Sequence, residues 1–248
     1  MRTLIVSLIL LCSQSLGAQP VMVAVAANMK EAFTEIAAAY KTNNQSDFRV
    51  VYGSSGNFTA QIMNGAPFKL FISADEHFPL ELYRQGKTIN EGTVYAIGKL
   101  AFISKKSFNV SSVKNKTDLA KLIGNANKVA IAKPDLAPYG KAAIEYLKAE
   151  GLWELAKDKM IYGDNIGVAT MYVVSGAADV GFTALSLASS ADVAKETSYT
   201  VLDSKQYQPI AQRMVLMKSA PKEAVELYQF MQGSQAKGIL QKYGYTTP

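Results

Sequence analysis

Short apolar runs alternate along the chain with segments in which apolar residues recur at helical spacing. Residues 21–25, 48–52 and 70–74 are apolar runs of strand length. Apolar positions 29, 32, 33, 36, 37 and 40 make one face of a helix after the first run, and a short helix is predicted near residues 58–64 after the second. This βαβαβ order predicts a parallel sheet with helices on both faces.

A second series of elements follows without a flexible linker. Strands are predicted over residues 100–104, 129–132, 180–183 and 214–217, and helices over 118–123, 140–150 and 165–175. Pro221 and Gly233 bound a further helix, and a last helix ends near Gly244. Two α/β units without a linker predict two lobes joined by paired strand crossings. We place lobe 1 at residues 19–98 plus 213–248 and lobe 2 at residues 99–212.

The first residues of the chain form a separate unit. Arg2 precedes an apolar run over residues 4–12 that is too short to span a bilayer. This pattern predicts a secretory signal peptide of residues 1–18, with cleavage after Ala18 or, as an alternative, after Gly17. The large Leu11 argues against lipoprotein processing at Cys12. Because Cys12 is the only cysteine, we expect the exported chain to have neither a disulfide nor a thiolate metal ligand.

Charge and hydropathy narrow the class of partner. The chain has a formal net charge of +6, and its lysines are scattered rather than clustered. A mild excess of this kind suits an anionic ligand but is not typical of a nucleic-acid binder. No later segment reaches transmembrane length, and 49% of the residues are apolar. We therefore expect a soluble exported protein with a substantial core.

Four turns between strands and helices are rich in hydrogen-bond donors. The turn at residues 53–56 (Gly-Ser-Ser-Gly) follows a strand and opens a helix, where backbone N–H groups have no partner within the helix and can bind an oxyanion. Residues 26–28, 137–140 and 164–167 form the other three. Each could be an ordinary turn or helix cap. Four of them at the carboxyl ends of strands favour an anion site in the cleft between the lobes.

The sequence gives weaker support to a catalytic site or a metal site than to an anion site. His77 is the sole histidine, whereas a metal site needs several converging ligands. The serine turn is not a G-x-S-x-G elbow. An esterase or phosphatase would need a general base within reach of Ser54 or Ser55, and His77 would have to supply it. This enzyme remains an alternative, and a purely adhesive module is a third that leaves the donor turns unexplained.

Several tracts together resemble the periplasmic molybdate-binding protein (ModA) family, the solute receptors of molybdate ABC transporters. The resemblance covers essentially the whole exported chain. Five tracts carry it: an alanine-rich first strand ending at Asn28 (residues 25–28), the Ser-Ser turn (53–56), a Gly-Ala-Pro tract (65–67) followed by Phe-Ile-Ser-Ala-Asp (71–75), a Pro-Tyr-Gly turn (137–140) and an Asp-Asn-Ile helix start (163–166). Residues 175–182 resemble the family's next helix-to-strand passage.

The resemblance implies a type II periplasmic binding protein fold, with mostly parallel mixed sheets and a ligand cleft between the lobes. The oxyanion-binding positions then fall on Asn28, Ser55, Tyr139 and Ile166, with backbone from Ala27, and Ser54 is interpreted as a turn residue. A tyrosine found in enteric-type members is replaced here by Ala184. The chain is more similar to a branch with Asn and Tyr in the site and without that later tyrosine.

Function follows from the same resemblance. It implies a periplasmic receptor, not an enzyme, that delivers molybdate and also tungstate to an ABC transporter permease in the inner membrane. The metal is held as an oxyanion without direct metal ligands or a cofactor, and the receptor is expected to be a monomer. A receptor for sulfate, another oxyanion or a small carboxylate remains the alternative. Rejection of protonated oxyanions is expected if the carboxylates of Asp75 and Asp164 stay outside the pocket.

Overall fold

The computed structural model describes residues 20–42, 47–108, 110, 113 and 115–248. The predicted signal peptide and its cleavage sites lie outside the described residues. None of the described helices is long and apolar enough to cross a membrane.

The strands form two five-stranded sheets. The first has the order β2-β1-β3-β10-β4 and consists of β1 (Val21–Ala26), β2 (Phe48–Gly53), β3 (Leu70–Ile72), β4 (Thr93–Gly98) and β10 (Ile210–Leu216). The second has the order β7-β6-β8-β5-β9 and consists of β5 (Leu100–Lys105), β6 (Val129–Ala132), β7 (Met160–Gly163), β8 (Val180–Ala184) and β9 (Thr197–Val201).

Helices flank both sheets. Those of the first half are α1 (Lys30–Lys41), α2 (Ser55–Met63) and α3 (His77–Arg84). Those that follow β5 are α4 (Lys116–Asn125), α5 (Pro138–Ala149), α6 (Trp153–Ala156), α7 (Ile166–Ser175), α8 (Leu185–Ala188) and α9 (Ala191–Glu196). The chain ends with α10 (Lys222–Phe230) and α11 (Ser234–Lys242).

The two sheets have the same pattern of parallel and antiparallel strand pairs. In the first, β1 runs parallel to β2 and β3, whereas β10 is antiparallel to β3 and β4. In the second, β6 runs parallel to β7 and β8, whereas β5 is antiparallel to β8 and β9. The chain passes from the first sheet to the second between β4 and β5 and returns between β9 and β10. The predicted α/β fold with two mixed sheets is therefore confirmed.

Each sheet has its own apolar core. Around the first sheet, Phe33 and Ile36 of α1 are fully buried with Val23 and Val25 of β1. Around the second, Phe102 and Phe182 meet edge to face with their ring centroids 5.1 Å apart. Because burying such side chains stabilises a fold by roughly 1.5–3 kcal/mol each, each unit holds its own helices against its own sheet.

The largest differences from the predicted element boundaries are at the starts of α2 and β10. α2 begins at Ser55 rather than near Phe58, because its first turn consists of small and polar residues without an apolar period. β10 begins at Ile210 rather than at Met214. Its first half carries Gln212 at a buried position, so the apolar alternation is broken there. Strands β4, β7 and β9 and helices α3, α6, α8 and α9 were not predicted.

Candidate functional site

A small cavity lies where the carboxyl ends of strands from both sheets meet. The empty space between its wall atoms is about 190 Å³, including the part that is open to solvent. A ligand of this site is therefore compact. The structure brings all five sequence-predicted site residues together in its wall, which is lined by Ala26, Ala27, Asn28, Gly53, Ser54, Ser55, Ala74, Ala137, Pro138, Tyr139, Asn165 and Ile166.

Four helix N-termini surround the cavity. They belong to α2, α5, α7 and a short 3₁₀ helix at Ala27–Met29, so each contributes N–H groups for which the helix offers no acceptor. In α7, Asn165 Oδ1 accepts from the N–H of Val168 at 3.0 Å, which leaves the earlier Ile166 N–H for another partner. In α5, Pro138 has no N–H, so Tyr139 supplies the first one. The positive ends of the helix dipoles favour an anion here.

The two serines at the start of α2 have different surroundings. Ser55 Oγ accepts a hydrogen bond from the N–H of Ala74 at 3.0 Å, so its own hydroxyl proton is left to donate elsewhere. Ser54 is the residue before the helix, yet its side chain makes no capping bond. Its Oγ is buried without a hydrogen-bond partner in the described part of the chain. Both hydroxyls are thus available to a ligand, and the sequence interpretation of Ser54 as a turn residue missed this.

Tyr139 lines the cavity, and its hydroxyl is engaged by another side chain. Its Oη accepts from Gln212 Nε2 at 3.1 Å. The same Oη would lie only 2.1 Å from a Cβ at Gly98, so the ring ends against the crossing between the sheets. Burial raises the pKa of the Tyr139 hydroxyl well above its ordinary value, and the hydroxyl stays protonated.

Beneath the cavity, Asn28 joins a buried polar network that sequence reasoning did not find. Its Nδ2 donates to Gln212 Oε1 at 2.9 Å and to Tyr245 Oη at 2.8 Å. Its carbonyl oxygen accepts from Ser186 Oγ at 2.8 Å and from Tyr245 Oη at 2.9 Å. Tyr95 Oη donates to Gln212 Oε1 at 2.9 Å. The one available signal was Gln212, a polar residue at an inward position of an otherwise apolar strand.

Direct hydrogen bonds hold the two units together around the cavity. The N–H of Gly56 in α2 donates to the carbonyl of Leu136 at 2.9 Å. Space for this contact is small, since a Cβ at Gly56 would lie 3.0 Å from the Leu136 Cα. Ser186 of the second unit donates to Asn28 of the first. The structure is therefore in a closed arrangement.

Among the residues that the structure describes, no ionised side chain lines the cavity. Asp75 lies nearby, but its Oδ1 accepts from Ser73 Oγ at 3.0 Å and from the N–H of Phe78 at 3.3 Å. Burial raises the pKa of the Asp75 carboxyl. Asp164 pairs with Lys133, whose Nζ is 2.6 Å from Asp164 Oδ1. The two carboxylates about which the sequence left doubt therefore have other partners.

The remaining candidate residues lie elsewhere. His77 is exposed at the start of α3 and does not line the cavity. Among the described residues, no group of three or more His, Cys, Asp or Glu side chains could hold a metal ion. Ala184 ends β8 fully buried and is also absent from the cavity wall. His77 and Ala184 are therefore not part of the cavity wall.

Comparison with known proteins is consistent with this geometry. Residues 21–246 match the family model described as bacterial extracellular solute-binding protein. The molybdate-binding protein ModA of Azotobacter vinelandii is 34% identical over 232 residues, which are 92% of this chain and 90% of the relative. That of Rhodobacter capsulatus is 35% identical over 237 residues, or 93% and 90% of the two chains.

The chain belongs to the ModA family of bacterial extracellular solute-binding proteins. A solved structure of a ModA-family member, the periplasmic molybdate-binding protein of Azotobacter vinelandii, superimposes with a TM-score of 0.82 at 31% identity. The match covers 92% of this chain and 99% of that one. Family membership thus extends over both sheets and over every residue that lines the cavity.

Proposed function

We propose that this protein is a periplasmic receptor that binds molybdate, and also tungstate, in the cavity between its two lobes and delivers it to an ABC transporter. The observation that carries the proposal is a closed, uncharged cavity surrounded by helix N-termini in a chain whose relatives are named molybdate-binding proteins. The lobe limits at residues 19–98 plus 213–248 and 99–212, the signal peptide and the monomeric state stay predictions.

The proposed donors are neutral. A dianion leaves its hydration shell only if the site replaces it with about as many aligned donors. We propose that backbone N–H groups of Ala27, Ser55, Tyr139 and Ile166 supply several of them, and that the hydroxyls of Ser54 and Ser55 and the Asn28 side chain supply the rest. Because the donors come from both lobes, the ligand favours the closed state through contacts that an open state lacks.

Ligand choice is the first measurement. We expect titration calorimetry of the exported protein to give strong binding of molybdate and tungstate and weaker binding of sulfate. Hydrogen phosphate should bind least, because its hydrogen would find no carboxylate acceptor in the cavity wall. Absence of heat with both molybdate and tungstate would rule out the proposed function, and a preference for sulfate would make the protein a receptor for that oxyanion instead.

Ser55→Ala tests the site itself. The substitution removes a donor to a charged ligand, so we expect the free energy of molybdate binding to weaken by about 1.5–3 kcal/mol. It also leaves the buried Ala74 N–H without its acceptor, which should lower the free energy of unfolding by roughly 1–3 kcal/mol. Calorimetry and chemical denaturation measure the two effects. The control is Ser189→Ala at an exposed position of the other lobe, and unchanged affinity in Ser55→Ala would contradict the assignment.

An enzyme is the second candidate from another class. Ser54 and Ser55 have free hydroxyl protons, which is the feature that favours it, but His77 is not among the residues that line the cavity. If the protein is a receptor, His77→Ala should leave oxyanion binding unchanged. If the protein is an esterase or phosphatase, the parent protein should hydrolyse phosphate or acyl esters, and His77→Ala should lose that activity.

A further inference from the structure

The side-chain amide of Asn28 is oriented with its oxygen, rather than its nitrogen, toward the cavity. The residue is fully buried, and both Nδ2 hydrogens are directed to Gln212 Oε1 and Tyr245 Oη. Its Oδ1 has no hydrogen-bond partner among the described residues. Asn28 lines the cavity, so this orientation gives the cavity an acceptor. An acceptor beside an oxyanion repels it, and a buried acceptor without a partner costs about 1–3 kcal/mol.

The opposite orientation fits the same space, because the nitrogen and oxygen of an amide are nearly equal in size. Turning Asn28 by half a rotation aims Nδ2 at the cavity and Oδ1 at Gln212 and Tyr245. The Tyr245 hydroxyl then donates to Oδ1 instead of to the Asn28 carbonyl oxygen. Two oxygens then face each other unless Gln212 turns as well. When it does, Gln212 Nε2 donates to Asn28 Oδ1, and Gln212 Oε1 faces the hydroxyl of Tyr139. The two amides can therefore change orientation only as a pair.

The other members of the network support both arrangements. Tyr139 Oη, which accepts from Gln212 in the first, donates to Gln212 Oε1 in the second. Tyr95 Oη, which donates to Gln212 Oε1 in the first, is also 2.8 Å from the carbonyl oxygen of Ser73 and donates there in the second. Burial raises the pKa of Tyr95 and Tyr139 well above the ordinary value. These hydroxyls stay protonated and can donate or accept as the amides require.

We infer that Gln212 is a positioning residue for oxyanion binding: it turns together with Asn28, so that Asn28 Nδ2 donates to the bound ligand. This inference rests on the proposed function. The ligand selects the donor arrangement, and without a ligand the acceptor arrangement is available. The resulting chain of hydrogen bonds runs from Asn28 through Gln212 to Tyr139. The contact of Asn28 with the ligand in one lobe thereby fixes the Tyr139 side chain of the other.

Neutron diffraction of the deuterated wild-type protein tests the orientation directly. In crystals with molybdate, we expect the two deuterium atoms of Asn28 on the ligand side and those of Gln212 facing Asn28 and Tyr95. Deuterium atoms of Asn28 that face Gln212 in the complex would overturn the inference while the proposed function stands. If calorimetry finds no binding of molybdate or tungstate, the proposed function fails, and the inference fails with it.

Gln212→Met and Gln212→Glu test the effect on affinity. The methionine of the first variant fills the space but cannot hold Asn28, so we expect the Kd for molybdate to rise roughly 10- to 100-fold. In the second variant, an ionised carboxylate only accepts and draws Asn28 Nδ2 away from the ligand, whereas a protonated carboxyl can still donate. Burial raises the pKa of such a carboxyl, so it ionises only as the pH rises. The loss of molybdate affinity in Gln212→Glu should therefore grow between about pH 6 and pH 8.

The controls separate this role from a general effect of charge or of folding. Gln229→Glu adds the same charge at an exposed position of α10 and should bind like the wild type at both pH values. Other titratable groups near position 212 are the hydroxyls of Tyr95, Tyr139 and Tyr245 and the Asp75 carboxyl, and all are unchanged in the variants. Thermal unfolding verifies that each variant is folded. Wild-type affinity in a folded Gln212→Met would overturn the inference.

Discussion

Gly140→Ala is expected to destabilise the protein and to weaken oxyanion binding together. A Cβ at Gly140 would lie 2.1 Å from the carbonyl oxygen of Ala132 and 2.8 Å from its carbonyl carbon. Both atoms are backbone at the end of β6, so they cannot move aside as a flexible side chain would. Overpacking of this kind costs roughly 1–3 kcal/mol. Chemical denaturation should therefore show a lower free energy of unfolding.

The effect on binding follows from the place of this glycine. Gly140 comes directly after Tyr139, so a shift of α5 away from β6 displaces the Tyr139 N–H from the cavity. Loss of one hydrogen bond to a charged ligand should raise the Kd for molybdate roughly 10- to 100-fold. Calorimetry of the folded variant measures this change.

Gly238→Ala is the matched control. Gly238 lies inside α11, and a Cβ there would meet nothing within 4 Å. Alanine has the higher helix propensity by up to about 1 kcal/mol, so this variant should be slightly more stable and bind normally. The two substitutions are thus expected to change stability in opposite directions. Equal stability of Gly140→Ala and the wild type would contradict the close approach of α5 to β6.

Much of the fold could be predicted from the sequence because its strongest patterns are local. The apolar runs that form β1, β2 and β3 are bounded by turns and separated by helical periodicity, which specifies parallel pairing. β7 and β9 lack such a run and lie among short helices, and they were missed. β4, which does carry a short apolar run at residues 94–97, was missed as well. Their pairing depends on the neighbouring strands of the sheet rather than on their own sequence.

The position of the cavity could be predicted for a related reason. Carboxyl ends of parallel strands meet at one edge of a sheet, so donor-rich turns after successive strands have to converge. This brought Ala27, Asn28, Ser55, Tyr139 and Ile166 into one cavity wall.

What each side chain does there could not be predicted. Ser55 accepts from Ala74, 19 residues further along the chain, and this contact decides where its proton is free. The amide of Asn28 contacts Gln212 and Tyr245, which are 184 and 217 residues away. No local pattern carries such contacts. The sequence therefore located the cavity, and the structure was needed to separate backbone donors from side-chain donors.

Asn28→Asp should cause the largest loss of binding. Aspartate has nearly the same shape, but an oxygen replaces the nitrogen, so either edge of the side chain presents an acceptor to the oxyanion. When ionised, it also places a negative charge beside a dianion in a cavity wall without cationic side chains. We expect the Kd for molybdate to rise roughly 100-fold or more at about pH 8.

The pH dependence distinguishes charge from a lost hydrogen bond. Burial and the neighbouring dianion disfavour the ionised carboxylate, so the pKa of the introduced carboxyl is expected to be raised. As the pH falls below that pKa, the side chain becomes neutral and part of the affinity should return. Asn28→Ala loses the hydrogen bond without adding charge and should show no such trend, and Asn64→Asp, at an exposed position after α2, controls for net charge. Wild-type affinity of Asn28→Asp in the alkaline measurement would mean that the Asn28 side chain does not face the ligand.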